Sequence, residues 1–235
     1  MIQIVKKQVR DIWNLYSQRD NRLEFERQEF SKFNERPVEY GFVFSKLSQI
    51  YPRKVLDIGT GVTSLPRLLR QCGFLVTAID NVRDYWTSGM INSHYHIIDD
   101  DITDTQLTEK FDFITCISVL EHIEKSGSAV RNMFNLLTPR GHLVLTFPYT
   151  ENNYIENVYH QDGSTHGHYT SVICQSYSRE KLNQWLQDNN GTLIDQEYWQ
   201  FFPKYWTVGE QIIPPKMVTV DDNHQLSCIL IQKNQ

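Results

Sequence analysis

The chain has 235 residues, of which 40% are hydrophobic and 12% aromatic, and its formal net charge is −5. Such values suit one domain of generous size, or a domain with a cap, and supply enough apolar surface for a core. The modest charge, without long runs of like charges, does not indicate a nucleic-acid partner, and no apolar run is long enough to span a membrane.

The N-terminal region is predicted to be helical. Residues 2–16 place apolar side chains on one helical stripe, and Pro37 is typical of the first turn of a second helix. Residues 1–54 carry 11 Lys and Arg against 7 Asp and Glu (+4), and the remainder carries 12 against 21 (−9). We therefore predict a basic helical cap over 1–50 on an acidic body over 51–235. The positive charge of this cap is typical of a solvent-exposed helix face, and the alternative interpretation is that it contacts an anionic substrate.

From residue 54 onward, apolar strands alternate with helices. The predicted strands span 54–59, 74–80, 94–100, 111–118 and 142–148, and the predicted helices span 64–73, 82–92 and 124–138. Strand–helix alternation of this kind is typical of an α/β fold with a parallel, doubly wound sheet.

The alternation pauses after Pro148. Residues 149–177 are rich in Tyr, His, Asn, Gly and Ser, and a connection of this length is typical of a lid or a binding loop. Ser178 is then the predicted N-cap of a helix, and two further strands span 191–199 and 226–233. Together with the earlier five, these strands make seven.

The four cysteines indicate the compartment. Cys72, Cys116, Cys174 and Cys228 are far apart and have no metal-ligand spacing, so we predict free thiols in a reducing compartment. No long apolar stretch follows the lysines near the N-terminus, so no secretory signal is predicted. We expect a cytoplasmic protein.

A glycine loop follows the first strand and has an acid on each side. Gly59 and Gly61 lack the Cβ that would keep a ligand away from the backbone. Asp80 closes the second strand, where a carboxylate accepts hydrogen bonds from ribose hydroxyls in nucleotide-binding crossovers. Asp57 precedes the loop, where it would repel a pyrophosphate and suit a positive amine. S-adenosylmethionine (AdoMet) has an amine, a ribose and no phosphate, although the glycines alone could serve only a tight turn.

These motifs resemble those of class I AdoMet-dependent methyltransferases. The run Asp57-Ile-Gly-Thr-Gly is similar to their first motif, acid-x-Gly-x-Gly-x-Gly, with Thr63 in place of the third glycine. Asp80 matches their ribose-binding acid, and Asp101-Ile102 resembles the pair that meets the adenine edge. Residues 111–123 are similar to the fourth-strand signature of the branch that contains ubiquinone-pathway O-methyltransferases.

The resemblance covers roughly residues 53–148 and implies a fold, a cofactor and a set of ligands. The implied fold is a Rossmann-like, doubly wound sheet of seven mostly parallel strands with an antiparallel final strand, and the implied cofactor is AdoMet. The implied cofactor-binding residues are Asp57, Gly59, Thr60, Gly61, Asp80, Asn81, Asp101, Ile102 and Ser118.

Methyl transfer is an in-line displacement at a sulfonium, so the protein mainly positions the reactants and excludes water. An oxygen nucleophile also loses a proton, and a nearby base assists. Ligands of open α/β sheets lie outside the carboxyl ends of the strands. Glu121 and His122 follow the fourth strand and Tyr149 follows the fifth, so these three are the candidate catalytic residues.

Two other interpretations of Glu121 and His122 stay open. In ubiquinone-pathway enzymes and small-RNA 2′-O-methyltransferases, a Glu-x-x-Glu-His run at this position resembles a divalent-metal site, and Ser118 here replaces the first Glu. One loop histidine, His160, His166 or His168, could complete such a site. In the simpler interpretation, Glu121 and His122 only open the next helix.

We therefore expect an AdoMet-dependent methyltransferase that methylates a hydroxyl of a small molecule or glycan. The tyrosines of residues 149–177 would supply walls for sugars and small rings. One alternative is an RNA methyltransferase whose basic cap touches phosphates, with salt-sensitive binding. Another is a non-catalytic or nicotinamide-binding Rossmann domain.

Overall fold

The computed structural model describes residues 6–8, 10–13, 22–23, 25–26, 28–30, 34–83, 85–86, 89–165, 167 and 172–235. The chain divides into two compact units, Met1–Asn34 and Glu35–Gln235. In the first unit, residues 6–8 and 10–13 are helical, and the rest of the apolar stripe predicted over 2–16 lies outside the described residues. The cap over 1–50 stays a prediction.

Helix α1 (Arg36–Ile50) begins the second unit. Pro37 lies in its first turn, as predicted, because proline has no N–H to leave unpaired there. The helix ends at Tyr51, whose N–H donates to the Leu47 carbonyl (2.9 Å). Besides apolar side chains, the helix buries the charged side chain of Glu39.

In the described part of the chain, eight strands form one mixed sheet in the order β3-β2-β1-β4-β5-β8-β6-β7. They are β1 (Lys54–Ile58), β2 (Leu75–Asp80), β3 (Ile98–Asp99), β4 (Phe111–Ile117), β5 (Leu137–Pro148), β6 (Gly191–Gln200), β7 (Lys216–Val218) and β8 (Leu226–Lys233). Neighbours from β3 to β5 pair in parallel. Strand β8 is antiparallel to β5 and β6, and β7 is antiparallel to β6. The antiparallel final strand is as the resemblance implied.

Helices α2 (Leu65–Gln71), α3 (Ser126–Leu136) and α4 (Arg179–Asp188) complete the unit. Alternate strand residues face opposite sides of the sheet. On one side, Leu145 and Phe147 join α3 and α4 in a single apolar cluster. On the other side, Glu39 of α1 accepts a hydrogen bond from the Thr146 hydroxyl (2.6 Å). Helices therefore meet both faces, and the α/β prediction is confirmed.

Seven strands were predicted, and the described residues form eight. Strand β7 (Lys216–Val218) was missed because it has three residues, follows two prolines and shows no alternating pattern. The sheet is correspondingly more mixed than predicted, with antiparallel pairs on one side of β5.

The segment between β2 and β4 also differs from the prediction. The described residues of 82–92 form turns instead of a helix, and the strand predicted over 94–100 shrinks to Ile98–Asp99. The Asn92 side chain donates to the carbonyls of Gly61 and Thr63 and accepts from the backbone of the next turn. These tertiary hydrogen bonds outweigh the weak local helix propensity.

Residues 149–177, which we call the strap, form the predicted long connection. An antiparallel bridge joins Ile155 to Ser176, and a short 3-10 turn spans Val158–His160. Ser164, near the middle of the strap, bridges to Val208. The described part of the strap is therefore held by bridges both near its base and near its middle.

The four cysteines are free, as predicted, and Cys116, Cys174 and Cys228 are buried. Within the described ranges, none of the helices has the length and apolarity to cross a membrane.

The close contact of β6 with α3 gives a test of the packing. A Cβ added to Gly191 would lie 2.7 Å from Cζ of Phe134 and 3.2 Å from Cγ2 of Ile231. We predict that Gly191→Val lowers the free energy of unfolding by about 1–3 kcal/mol, because strand and helix must move apart. Urea denaturation followed by circular dichroism measures this change.

Gly127→Ala is the matched control. Gly127 is exposed in α3 and an added Cβ there would meet no atom within 4 Å. Since alanine favours helix over glycine, the control should gain up to about 0.5–1 kcal/mol. Equal stability of Gly191→Val and the wild type would contradict the described packing.

Candidate functional site

A cavity of about 540 Å³ opens at the carboxyl ends of β1, β2 and β4. This is the crevice in which open α/β sheets bind ligands. Nine of the twelve predicted site residues line it, namely Gly59, Thr60, Gly61, Asp80, Asn81, Asp101, Ile102, Ser118 and His122. Asp57, Glu121 and Tyr149 lie outside this lining.

The glycine loop after β1 is tightly packed against its neighbours. Gly59 has a left-handed backbone (φ +70°), and an added Cβ would collide with the side chain of Val119. The Gly59 N–H donates to the Ile79 carbonyl (2.9 Å), which ties the loop to β2. Glycine is therefore required here both by the backbone conformation and by the approach of Val119.

Asp80 contacts this loop directly. It is 7% exposed, and its Oδ2 accepts from the Gly61 N–H (2.7 Å). Its Oδ1 accepts from Nε1 of Trp86 (3.0 Å), a cavity residue that the sequence reasoning placed in a helix and missed. Each carboxylate oxygen can accept a second hydrogen bond, so Asp80 still has capacity for two hydroxyl donors.

Asp57 lies beneath the glycine loop. It is 2% exposed, and its two oxygens accept from the hydroxyls of Thr115 (2.7 Å) and Thr60 (2.7 Å). Burial raises the pKa of Asp57 to about 6. It borders a small cavity of about 10 Å³, also lined by Arg36 and Tyr40, which is room for about one water molecule. Asp57 therefore supports the loop from below, and its contact with a ligand amine stays a prediction.

Arg36 is a cavity residue that sequence reasoning did not single out. Its guanidinium donates to Oε2 of the fully buried Glu39 (2.8 Å) and to the Ile117 carbonyl (3.3 Å). Burial raises the pKa of Glu39, and the hydroxyls of Ser118 and Thr146 donate to the same carboxyl. A positive charge in the first turn of α1 interacts unfavourably with the positive end of the helix dipole. An unfavourable residue at such a position often has a functional reason, and this was the only sequence feature that could have identified Arg36 as a site residue.

The Asp101-Ile102 pair lies on the wall contributed by the segment after β3. Asp101 caps a short 3-10 turn, since its Oδ1 accepts from the Thr103 N–H (2.8 Å). Its Oδ2 accepts from the side chain of Asn81 (3.3 Å). Ile102 is 4% exposed and provides an apolar surface beside these acceptors.

His122 lines the cavity from the 3-10 turn Leu120–His122 after β4. Its Nδ1 lies 2.6 Å from the Ile173 carbonyl of the strap. A carbonyl only accepts, so Nδ1 carries the proton and Nε2 keeps its lone pair. Burial lowers the pKa of His122 below its usual 6.5, so the imidazole is neutral at pH 7.

Glu121 and Tyr149 have different surroundings. Glu121 is 4% exposed, its Oε2 has no hydrogen-bond partner among the described residues, and burial raises its pKa well above the usual value. Tyr149 is fully buried, with its hydroxyl donating to Glu151 (2.8 Å) and its ring stacked on His224. The structure therefore brings only His122 of the three catalytic candidates to the cavity.

In the described residues, no group of three or more His, Cys, Asp and Glu side chains is arranged to hold a metal ion. His160 is exposed, and His166 and His168 lie outside the described residues. The metal alternative, which needs one of these histidines, stays a prediction.

Comparison with known proteins places the chain among methyltransferases. A family model described as a methyltransferase domain matches residues 17–196. A ubiquinone biosynthesis O-methyltransferase of Glaesserella parasuis is 33% identical over 124 residues, which are 47% of this chain and 51% of that protein. The chain spans about half the length of the curated relatives it matches.

Solved structures share the fold. The 1,6-didemethyltoxoflavin-N1-methyltransferase of Burkholderia thailandensis, solved with S-adenosylhomocysteine, has a TM-score of 0.58 at 15% identity, over 94% of this chain and 85% of that chain. The N-methyltransferase NodS of Bradyrhizobium japonicum, solved with the same ligand, has a TM-score of 0.52 at 17% identity, over 86% and 88%. These likenesses concern the fold alone. Because the family model spans well over half of its length, the chain belongs to the methyltransferase domain family.

Proposed function

We propose that this chain binds AdoMet in the large cavity and transfers the methyl group to a hydroxyl oxygen of a small molecule or glycan. The observation that carries the proposal is the Asp80 carboxylate, held beside the glycine loop at the mouth of the parallel strands. A carboxylate at this point of the fold is suited to a ribose diol.

The cavity lining fits the parts of AdoMet. Asp80 would accept the ribose hydroxyls, and Asp101 with Ile102 would offer an acceptor and an apolar surface to the adenine. Arg36 would pair with the carboxylate of the amino-acid tail, and Asp57, which lines the adjoining small cavity with Arg36, would lie on the side of its amine. The ammonium and the carboxylate of this tail share one α-carbon, and each would then face the opposite charge.

The same lining disfavours a nicotinamide dinucleotide. The Gly61 N–H, which would face a pyrophosphate in a dinucleotide loop, already donates to Asp80. Asp80, Asp100 and Asp101 also line the cavity, and their charges would repel phosphates.

When bound, AdoMet supplies an electrophilic methyl group and a thioether leaving group. The chain would hold the acceptor hydroxyl in line, exclude water and take its proton. Neutral His122 suits the last task, because its Nδ1–H is held by Ile173 and its Nε2 has a lone pair. Glu121 and Tyr149 are buried outside the cavity lining, so we assign no step to either residue.

The oxygen acceptor is supported by relatives and by the site. The Glaesserella parasuis protein is named as a ubiquinone biosynthesis O-methyltransferase. A general base such as His122 is needed by a hydroxyl more than by an amine, whose lone pair is available without proton loss. We propose the strap over 149–177 as the acceptor loop, with Tyr85 in the cavity lining as a facing aromatic wall.

The cofactor assignment predicts the behaviour of Asp80→Asn. Loss of the charge should weaken S-adenosylhomocysteine binding by about 1.5–3 kcal/mol, or roughly 10- to 150-fold, since charge-assisted hydrogen bonds are lost. An asparagine Oδ1 can still accept from the Gly61 N–H, so the loop should stay in place, whereas its NH2 group can no longer accept from Nε1 of Trp86. Isothermal titration calorimetry measures the dissociation constants.

Asp104→Asn is the control, because Asp104 is exposed and lies outside the cavity lining. Its affinity for S-adenosylhomocysteine should match that of the wild type. Undiminished binding by Asp80→Asn, or equal losses in both variants, would refute the cofactor assignment.

The base assignment predicts a contrast between neighbours. His122→Asn should slow methyl transfer by about 10²–10⁴-fold, the usual contribution of a general base, without loss of S-adenosylhomocysteine affinity. Glu121→Gln is nearly isosteric and changes a residue outside the cavity lining, so its rate should stay close to that of the wild type. Mass spectrometry of a metabolite extract treated with deuterium-labelled AdoMet measures the labelled product. A slow Glu121→Gln beside a fast His122→Asn would reverse the assignment.

A further inference from the structure

The strap packs against the turn that carries His122 in a short, buried contact. The turn Leu120–His122 lies beside residues 173–177, which are mostly buried although several are polar. The Tyr177 hydroxyl donates to the Leu120 carbonyl (2.7 Å), and His122 meets the Ile173 carbonyl (2.6 Å). The orientation of the imidazole therefore depends on the register between strap and turn.

Gln175 holds the carbonyls on both sides of His122. Its backbone N–H donates to the Glu121 carbonyl (2.9 Å), and its Nε2 donates to the Ile123 carbonyl (2.8 Å) and, at 3.4 Å, to that of Glu121. Its Oε1 accepts from the Tyr154 hydroxyl (2.7 Å), another strap residue. The side chain is 3% exposed, so these bonds face little competition from water.

The chemistry of this position requires an amide. A side chain of this length must donate twice toward the turn and accept once from the strap, and only glutamine combines these groups. Leucine fills the space but removes the side-chain donor to the Ile123 carbonyl, while the backbone N–H of residue 175 still donates to Glu121. An ionised glutamate would point a charge at both carbonyls.

We propose that Gln175 is the positioning residue for His122. Gln175 fixes the imidazole of His122 with its proton on Nδ1 and its lone pair on Nε2. The inference rests on the proposed function for its catalytic meaning. Gln175 acts through the turn: by fixing Glu121 and Ile123, it holds the ring of the residue between them against Ile173. Without this contact, a neutral imidazole is free to exchange its proton between the two nitrogens.

The test is a long-range ¹H–¹⁵N correlation spectrum of the ligand-free protein at pH 7.5, which reports the tautomer of each of the eight histidines. The spectrum of His122→Asn identifies the signal of His122. The wild type should show His122 protonated on Nδ1. Gln175→Leu should show a mixture of tautomers or protonation on Nε2, and its methyl-transfer rate should fall about tenfold or more.

Two further variants keep the inference falsifiable. Gln175→Glu preserves the shape, and it should lose the Nδ1 tautomer even if Gln175→Leu fails to fold. Tyr154→Phe removes only the hydroxyl that donates to Oε1, so it should retain the wild-type tautomer. Melting temperatures from circular dichroism confirm that each variant is folded.

The outcomes separate this inference from the proposed function. Retention of the Nδ1 tautomer in folded Gln175→Leu or Gln175→Glu would overturn the role of Gln175. The tautomer needs no cofactor, so a wild type that fails to bind S-adenosylhomocysteine would refute the proposed function and leave the role of Gln175 in orienting His122 intact.

Discussion

The hydrogen bond from the Gly61 N–H to the Asp80 carboxylate is the interaction on which the site depends. The parallel register of β1 and β2 pairs Ile58 with Ile79, so the glycine loop and Asp80 emerge side by side at one edge of the sheet. The second oxygen of Asp80 then holds the Trp86 indole and with it the segment that follows β2. One buried carboxylate thus orders two walls of the cavity. Each of its oxygens can still accept one more hydrogen bond from a ligand in the cavity.

A second buried carboxylate orders the opposite wall. Glu39 receives donors from Arg36, Ser118 and Thr146, which join α1 to the ends of β4 and β5. A buried acid with several donors is tolerated, whereas removal of its partners would leave an uncompensated polar group. The network gives Ser118, which follows β4, a structural role, because its hydroxyl donates to Glu39 of α1. Since Arg36 also donates to Glu39, the same network holds Arg36 at the cavity.

Much of this arrangement was predictable from the sequence because it rests on local patterns. Apolar runs and Gly59 predicted β1 and its loop, and the spacing to Asp80 predicted the acid beside it. Features that depend on tertiary contacts were not predictable. Trp86 lies in a turn and bonds to Asp80, where a helix was predicted. Glu121 is buried outside the cavity lining although it adjoins His122. Gln175 contacts a turn that is more than fifty residues away in the chain. In the sequence, Arg36 stood out only because a positive charge at the N-terminus of a helix is unfavourable.

The most direct measurement is a crystal structure of the protein with S-adenosylhomocysteine. Because Asp80 retains an acceptor position on each oxygen, we expect both ribose hydroxyls within hydrogen-bond distance of its carboxylate, with the amino-acid tail toward Arg36. A nucleoside bound away from Asp80, or a tail directed away from Arg36, would contradict the proposed arrangement of the site.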